Sequence, residues 1–318
     1  MAAAKRFELV SFDGRAPPGA AGCDGVVPDA ALDLSHWEGN KTPADLKADT
    51  STEIALRFAR GGGSIDLAVN NHFDTDGALA VYALLHSDVA LAHADLLVAA
   101  AEAGDFDEWP DDERGLRLEA AVRRMAMLKS EPAAYARVMR DLESVLTNLE
   151  AREDLWGEDW QGLERGLARL ARGEVEVTIE GSLAVFVHHR DIKELRGPVL
   201  SRAAKHASGV ARTVAPTQWL LAFEREAGRW DYRFELARYA WADTVVRPRL
   251  RAPSRNATAV ALSAACHVPF EAWALKGDLG MTGVLRTAAP IACPPEQIAA
   301  ALVATCPSTP QGASRGTP

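Results

Sequence analysis

A chain of 318 residues is longer than one hydrophobic core usually supports, so two domains, or one domain with a large extension, are expected. With 48% apolar and 25% charged residues, its balance is that of a globular protein and not of a disordered or fibrous one. A formal net charge of −9 argues against duplex nucleic acid as a partner, because backbone affinity draws on Lys and Arg displacing counterions.

Residues 1–10 carry early charges and no apolar run of signal-peptide length, and no later stretch has the length and polarity to span a membrane. A cytoplasmic protein without a membrane partner is therefore expected. Apolar segments at residues 7–12, 30–34, 65–69 and 96–100 predict strands alternating with helices, the pattern of an α/β domain whose sheet has helices on both faces. Thr42, Pro43 and Asp45 predict a helix start, with Gly61-Gly62-Gly63 ending that helix near Arg60. Another helix is predicted from about Gly77, burying Leu79, Val81, Leu84 and Leu85. Helical periodicity through Leu116, Leu118, Val122, Met125, Val138, Leu142, Leu146 and Leu149 marks residues 111–172 as a helical connector.

After Gly173 the pattern turns to β, with hairpins predicted around Glu180-Gly181-Ser182 and around Ala227-Gly228. The expected organisation is an α/β domain over residues 1–110, the connector, a second, α+β domain over 173–304, and a disordered tail over 305–318. The four cysteines, Cys23, Cys266, Cys293 and Cys306, have no C-x-x-C spacing, so reduced thiols are expected.

Chemistry is concentrated in Asn71-His72-Phe73-Asp74-Thr75-Asp76-Gly77. His72, Asp74 and Asp76 stand at i, i+2 and i+4 after an apolar strand, and in extended backbone that spacing aims all three at one face. Carboxylates held so close repel unless a cation sits between them or a proton is retained, which points to a hard divalent metal. Gly77 permits a tight turn into a helix whose N-terminus would face an anionic substrate. A surface turn rich in aspartate is the bland alternative. A calcium loop counted from His72 would need a bidentate glutamate where Ala83 stands. A phosphatase with Asp74 as nucleophile in a D-x-D-x-T/V pattern would need Thr or Val at Ala78.

This H-x-D-x-D-G segment, following a strand and entering an apolar helix, resembles the first metal motif of the DHH phosphoesterases. That family includes exopolyphosphatases, RecJ-like nucleases, oligoribonucleases and cyclic-dinucleotide phosphodiesterases. The resemblance implies that His72 and Asp74 bind one metal and Asp76 a second, and that an aspartate after a later strand bridges the two, for which Asp105 is preferred over Asp107 and Glu102. Upstream, Asp33-Leu34-Ser35-His36-Trp37 resembles the D-H-H signature, with Ser51-Thr52 in the place of the family's S-T pair. Ser35 replaces the first histidine, and the segment precedes the H-x-D-x-D motif where the family has it follow. A rearranged strand order would let Asp33 and His36 face the metals or the phosphate.

In the second half, His188-His189 and a run containing Arg247 and Arg249 suit phosphate binding, though a solvated charge run is the commoner explanation. The family's glycine-rich phosphate loop has its nearest counterpart in Gly277-Asp278-Leu279-Gly280-Met281-Thr282-Gly283, which reads as an ordinary turn. Adjacency of Cys266 and His267 does not make a nucleophile pair.

The resulting expectation is a two-metal phosphoesterase acting on a small phosphate ester or short nucleotide. Asp76 and His36 would be its catalytic residues, His72, Asp74, Asp76, Asp33 and Asp105 its metal ligands, and His188, His189, Arg247 and Arg249 its substrate contacts. Mixed carboxylate and imidazole ligands favour Mn2+, and Mg2+, Co2+ or Fe2+ suit them too. A DHH-like scaffold that binds a nucleotide or metal without turnover is the alternative.

Overall fold

Four short strands, β1 (Arg6–Leu9), β2 (Ala21–Cys23), β3 (Leu32–Leu34) and β4 (Leu67–Asn70), form a wholly parallel sheet in the order β1-β4-β2-β3. The computed structural model describes residues 5–128, 130–188, 197–208, 216–250, 253–276, 279 and 283–305. Among them, ten helices and two sheets make a mixed α/β protein, in agreement with the predicted class. The chain divides into two units, Met1–Gly162 with Ala242–Arg247, and Leu163–Trp241 with Pro248–Pro318.

In the first unit all four residues of β4 are buried, as befits a parallel strand covered on both faces. Ala68 joins the main core, while Leu67 and Val69 meet a smaller cluster with Ala16, Ala20 and Val27. The helices are α1 (Ser51–Arg60), α2 (Thr75–Leu85), α3 (Ser87–Ala92), α4 (Ala94–Asp105), α5 (Arg114–Met125), α6 (Glu131–Thr147) and α7 (Glu153–Ala171). Helix α2 is buried from Thr75 to Leu84, which fits its apolar composition around the whole circumference. Leu118, Val122, Tyr135, Leu142 and Trp156 share its core, so the stretch predicted as a connector packs largely within this unit.

Two local expectations are corrected. The first helix begins at Ser51, because Thr50 caps it by accepting from Glu53 N; Thr42 instead exchanges hydrogen bonds with the Ser35 backbone. Residues 96–100 are helical within α4: a short apolar run reads as buried strand or buried helix alike, and its alanines favour the helix. Strand β2, with three residues beside glycine and proline, is too short to show a period.

The second unit contains β5 (Val175–Glu180), β6 (Leu183–His188), α8 (Gly197–Ser208), β7 (Gln218–Glu226), β8 (Arg229–Leu236), α9 (Arg255–Cys266), β9 (Trp273–Lys276), β10 (Val284–Thr287) and α10 (Pro295–Thr305). Its six strands lie in the order β5-β6-β7-β8-β10-β9, with β6 and β7 parallel and the other neighbours antiparallel. Both predicted hairpins are present; Gly181 (φ 64°) and Gly228 (φ 74°) supply the left-handed residues of their turns. Leu183, Leu220 and Phe234 pack with Leu262 of α9 and Ile298 of α10. Cys266 and Cys293 are joined in a disulfide, against the expected free thiols: tertiary proximity, not sequence spacing, pairs them. Residues 306–318, including Cys306 and all but the first residue of the predicted tail, and most of the 277–283 turn lie outside the described residues.

Candidate metal centre

Parallel sheets present their functional groups beyond the carboxyl ends of the strands. Here Asp24 follows β2, His36 follows β3 and His72 follows β4. Asp24 takes a left-handed conformation (φ 63°) that aspartate tolerates better than most residues, and its N–H donates to Leu34 O. Gly25 must then be small, since a Cβ there would stand 2.1 Å from Asn71 Oδ1.

His36 is oriented from both sides. Its ring Nδ1 lies 2.6 Å from the Asp49 carbonyl, which only accepts, so Nδ1 carries the proton and Nε2 faces the acids. His72 Nδ1 bonds Asn71 Oδ1 at 2.9 Å, and its backbone carbonyl accepts from Tyr135 OH at 2.9 Å, the same hydroxyl that accepts from Asn70 Nδ2. Asp74 caps α2 by accepting from Gly77 N, and both oxygens of Asp76 accept from the first N–H groups of α1, Ser51 N and Thr52 N, at 2.7 Å each. Asp105 closes α4.

Two ligand groups result, Asp24–His36–Asp76–Asp105 and Asp24–His72–Asp74, each with its donor atoms within 4.8 Å of one another. His36 Nε2 lies 3.5 Å from Asp24 Oδ1, 3.4 Å from Asp76 Oδ2 and 3.2 Å from Asp105 Oδ2. His72 Nε2 lies 3.1 Å from Asp24 Oδ2 and 2.9 Å from Asp74 Oδ2. Ligands at adjacent corners of an octahedral ion with bonds of ~2.1 Å stand roughly 3 Å apart, so these spacings suit coordination. Asp24 offers one oxygen to each group.

The donor set also fits by charge. Four carboxylates face only two imidazoles, and Asp24, His36 and Asp76 have no side-chain exposure. Burial pushes the Asp76 carboxyl up to about 6 against the pull of His36, and burial with the Asp74 and Asp76 charges pushes Asp105 well above the carboxylate range. Burial would raise Asp24 as well, but hydrogen bonds from His36 and His72 hold it well below that range. Burial disfavours charge on both rings, yet Asp105 and Asp24 raise His36 well above its usual value, and Asp24 and Asp74 raise His72 to about 11. Two divalent cations would balance the four carboxylates with both imidazoles neutral.

With no ion bound, the pH dependence has a definite sign. His72, raised from 6.5 to about 11, contributes its stability in full below pH 6.5 and loses it as pH rises through about 11. Asp76, raised from 3.8 to about 6, contributes below pH 3.8 and loses it through about 6. An entering cation displaces these protons, so binding at pH 7 is expected to release protons and to tighten as pH rises. Calorimetry in buffers of different ionisation enthalpy counts them; a count of zero would contradict this arrangement.

Residues 5–292 match a family described as "Family of unknown function (DUF6687)". The chain belongs to the DUF6687 family. No curated protein matches it.

In this DUF6687 member the structure brings together five predicted residues, His36, His72, Asp74, Asp76 and Asp105. His72, Asp74 and Asp76 do not converge on one point, because the backbone turns helical at Thr75; His72 and Asp74 fall in one group and Asp76 in the other. Asp24, not Asp105, is the residue common to both groups. Sequence reasoning misses Asp24, whose one signal is an acid between a three-residue strand and a glycine. Asp33 lies outside both groups, its Oδ2 accepting from Lys41 N. At the N-terminus of α2 the N–H of Gly77 donates to Asp74. Arg247, predicted to contact phosphate, is ion-paired with Asp49, Glu102 and Glu108 of its own chain. His188 is buried in the second unit, stacked on Phe223 at 4.6 Å, and Arg249 is an exposed residue of that unit. His189 lies outside the described residues.

Proposed function

We propose that this protein is a metal-dependent phosphoesterase of DHH-like design, hydrolysing a small phosphate ester or short nucleotide with two divalent ions, Mn2+ favoured. The observation that carries this reading is Asp24, one carboxylate set between two imidazole-containing ligand groups.

Held by these side chains, two divalent ions would supply a water of lowered pKa and neutralise charge developing on phosphorus and the leaving oxygen. The chain's own part is to hold the geometry. Asp24 sets the separation of the two groups. His36 and His72 keep Nε2 forward because Nδ1 is tied to Asp49 O and to Asn71 Oδ1. The His72 and Asp74 side chains are 22% and 38% exposed while Asp105 is 5% exposed, so phosphate enters from the His72–Asp74 side and the Asp76–Asp105 side excludes water. Net acidity disfavours long duplexes as substrates.

The reading includes a cytoplasmic location. Among the described residues no helix is long and apolar enough to cross a membrane; the Cys266–Cys293 bridge is the feature that favours an oxidising compartment.

The test is hydrolysis of bis(p-nitrophenyl) phosphate and of short oligonucleotides by the full chain, stripped with chelator and reloaded with Mn2+, with Asp76→Ala as control. Turnover that depends on Mn2+ and vanishes in the control is expected. Two bound equivalents without turnover on any phosphoester would overturn the enzyme reading in favour of a DHH-like scaffold that binds metal or nucleotide, and no metal with no hydrolysis would leave only the nucleotide-binding form of that scaffold.

A further inference from the structure

We infer that Arg247 is a positioning residue for one half of the candidate centre, holding the His36 imidazole through Asp49 and the Asp105 end of α4 through Glu102. This rests on the metal-binding reading above and specifies which half of the site an outlying arginine controls.

Arg247 follows β8 by eleven residues, yet its segment, Ala242–Arg247, belongs to the first unit. The segment is fastened at the site. Asp243 N donates to His36 O at 2.7 Å, and Trp37 pairs with Ala242 in an isolated antiparallel bridge. The carboxylate of Asp49, only 3% exposed, accepts from the backbone N–H groups of Val245, Val246 and Arg247 and from Arg247 Nη1 at 2.9 Å. The carbonyl of the same Asp49 is the acceptor for His36 Nδ1. Asp49 thus joins the arginine to the imidazole.

The other arm of the guanidinium reaches α4 and the residues just beyond its end. Arg247 Nη2 lies 3.0 Å from Glu102 Oε1 and 2.9 Å from Glu108 Oε2, and the guanidinium sits 4.5 Å over the Phe106 ring. Glu102 precedes Asp105 by one helical turn, and Phe106 follows it directly, its ring centroid 6.1 Å from that of His36. One planar fork therefore spans the anchors of His36 and Asp105, two ligands of the same group. His72 and Asp74 have anchors of their own: Asn71, Tyr135 and the N–H of Gly77. A lysine has a single ammonium and cannot reproduce the fork.

Loss of the arginine should therefore weaken one ion and spare the other. Mn2+ titration of the metal-stripped full chain, followed by the electron paramagnetic resonance of free Mn2+, should resolve two classes in the parent protein. Arg247→Ala is expected to weaken one class by up to ~10-fold, the low end of the range for lost outer partners of metal ligands because Arg247 acts through Asp49 and Glu102, with the other class unchanged. Arg247→Lys should not restore it, and Glu108→Gln, a milder change that keeps the arginine, should weaken the same class to a lesser degree. Both classes falling together, or neither moving, overturns the inference.

A metal-independent readout separates this from the metal reading. In stripped protein, the His36 Nδ1–H resonance should shift in Arg247→Ala and Glu108→Gln while that of His72 stays in place. A parent protein that binds no Mn2+ refutes the metal centre; an unmoved His36 resonance refutes the positioning role whatever the metal result.

Discussion

Asp24→Asn is expected to lose both metal classes and, with them, hydrolysis. Asparagine keeps the size of the side chain and tolerates the left-handed backbone at this position (φ 63°), so the fold is under little strain. Its amide, however, presents one acceptor oxygen where the carboxylate presents two, Oδ1 toward His36 and Oδ2 toward His72. Whichever way the amide turns, an NH2 group faces one ligand set and expels a cation from it, and the charge that drew the second ion is gone. The loss in affinity should exceed the ~100-fold upper range for outer partners, because under the proposed function Asp24 would be a direct ligand of both ions. Stoichiometry by elemental analysis after gel filtration checks this. Two retained equivalents with parental affinity would show that Asp24 is not a bridge.

Gly77→Ala sets two effects of opposite sign against each other. In an ordinary helix, alanine in place of glycine stabilises by about 1 kcal/mol. Gly77 is the third residue of α2 and its φ is not in the left-handed region, so backbone alone predicts a gain. The surroundings reverse this. A Cβ at this position would stand 2.5 Å from Asn70 Nδ2, 2.8 Å from Asp24 Oδ2 and 3.1 Å from Asp74 Oδ1. None of the three can swing away cheaply: Asn70 bonds Gly25 N, Asn71 N and Tyr135 OH, Asp24 faces His72, and Asp74 caps the helix. Overpacking of this kind costs roughly 1–3 kcal/mol. The variant should melt below the parent in chelator, and its Mn2+ affinity should fall further because the methyl would displace the Asp24 carboxylate shared by the two groups. A melting temperature at or above the parental one, with metal binding intact, would contradict the close packing around Gly77.

Both predictions rest on residues whose legibility in sequence differs. The His72-Asp74-Asp76 spacing marks a site because a strand followed at once by a helix brings near neighbours together, a local property. The Ser51-Thr52 pair stands out through resemblance alone; its physical role, two backbone N–H groups held against Asp76, needs α1 and α2 to meet. Asp105 is expected at a strand end and is instead the last residue of a helix, and it reaches His36 all the same, because α4 packs against α2.

The sequence by itself determined the mixed α/β class, the strand of β4 and its acidic motif, the helical run after residue 110 and the two hairpins of the second unit. Each follows from periodicity or turn chemistry, which act over a few residues. Only the tertiary structure decided that Asp24 is shared by both ligand groups, that Asp33 lies outside them, and that Arg247 serves its own chain's carboxylates. The physical reason is that sheet order sets these partners: with β2 between β4 and β3, Asp24 stands between His72 and His36, residues 48 and 12 positions away that no local pattern connects.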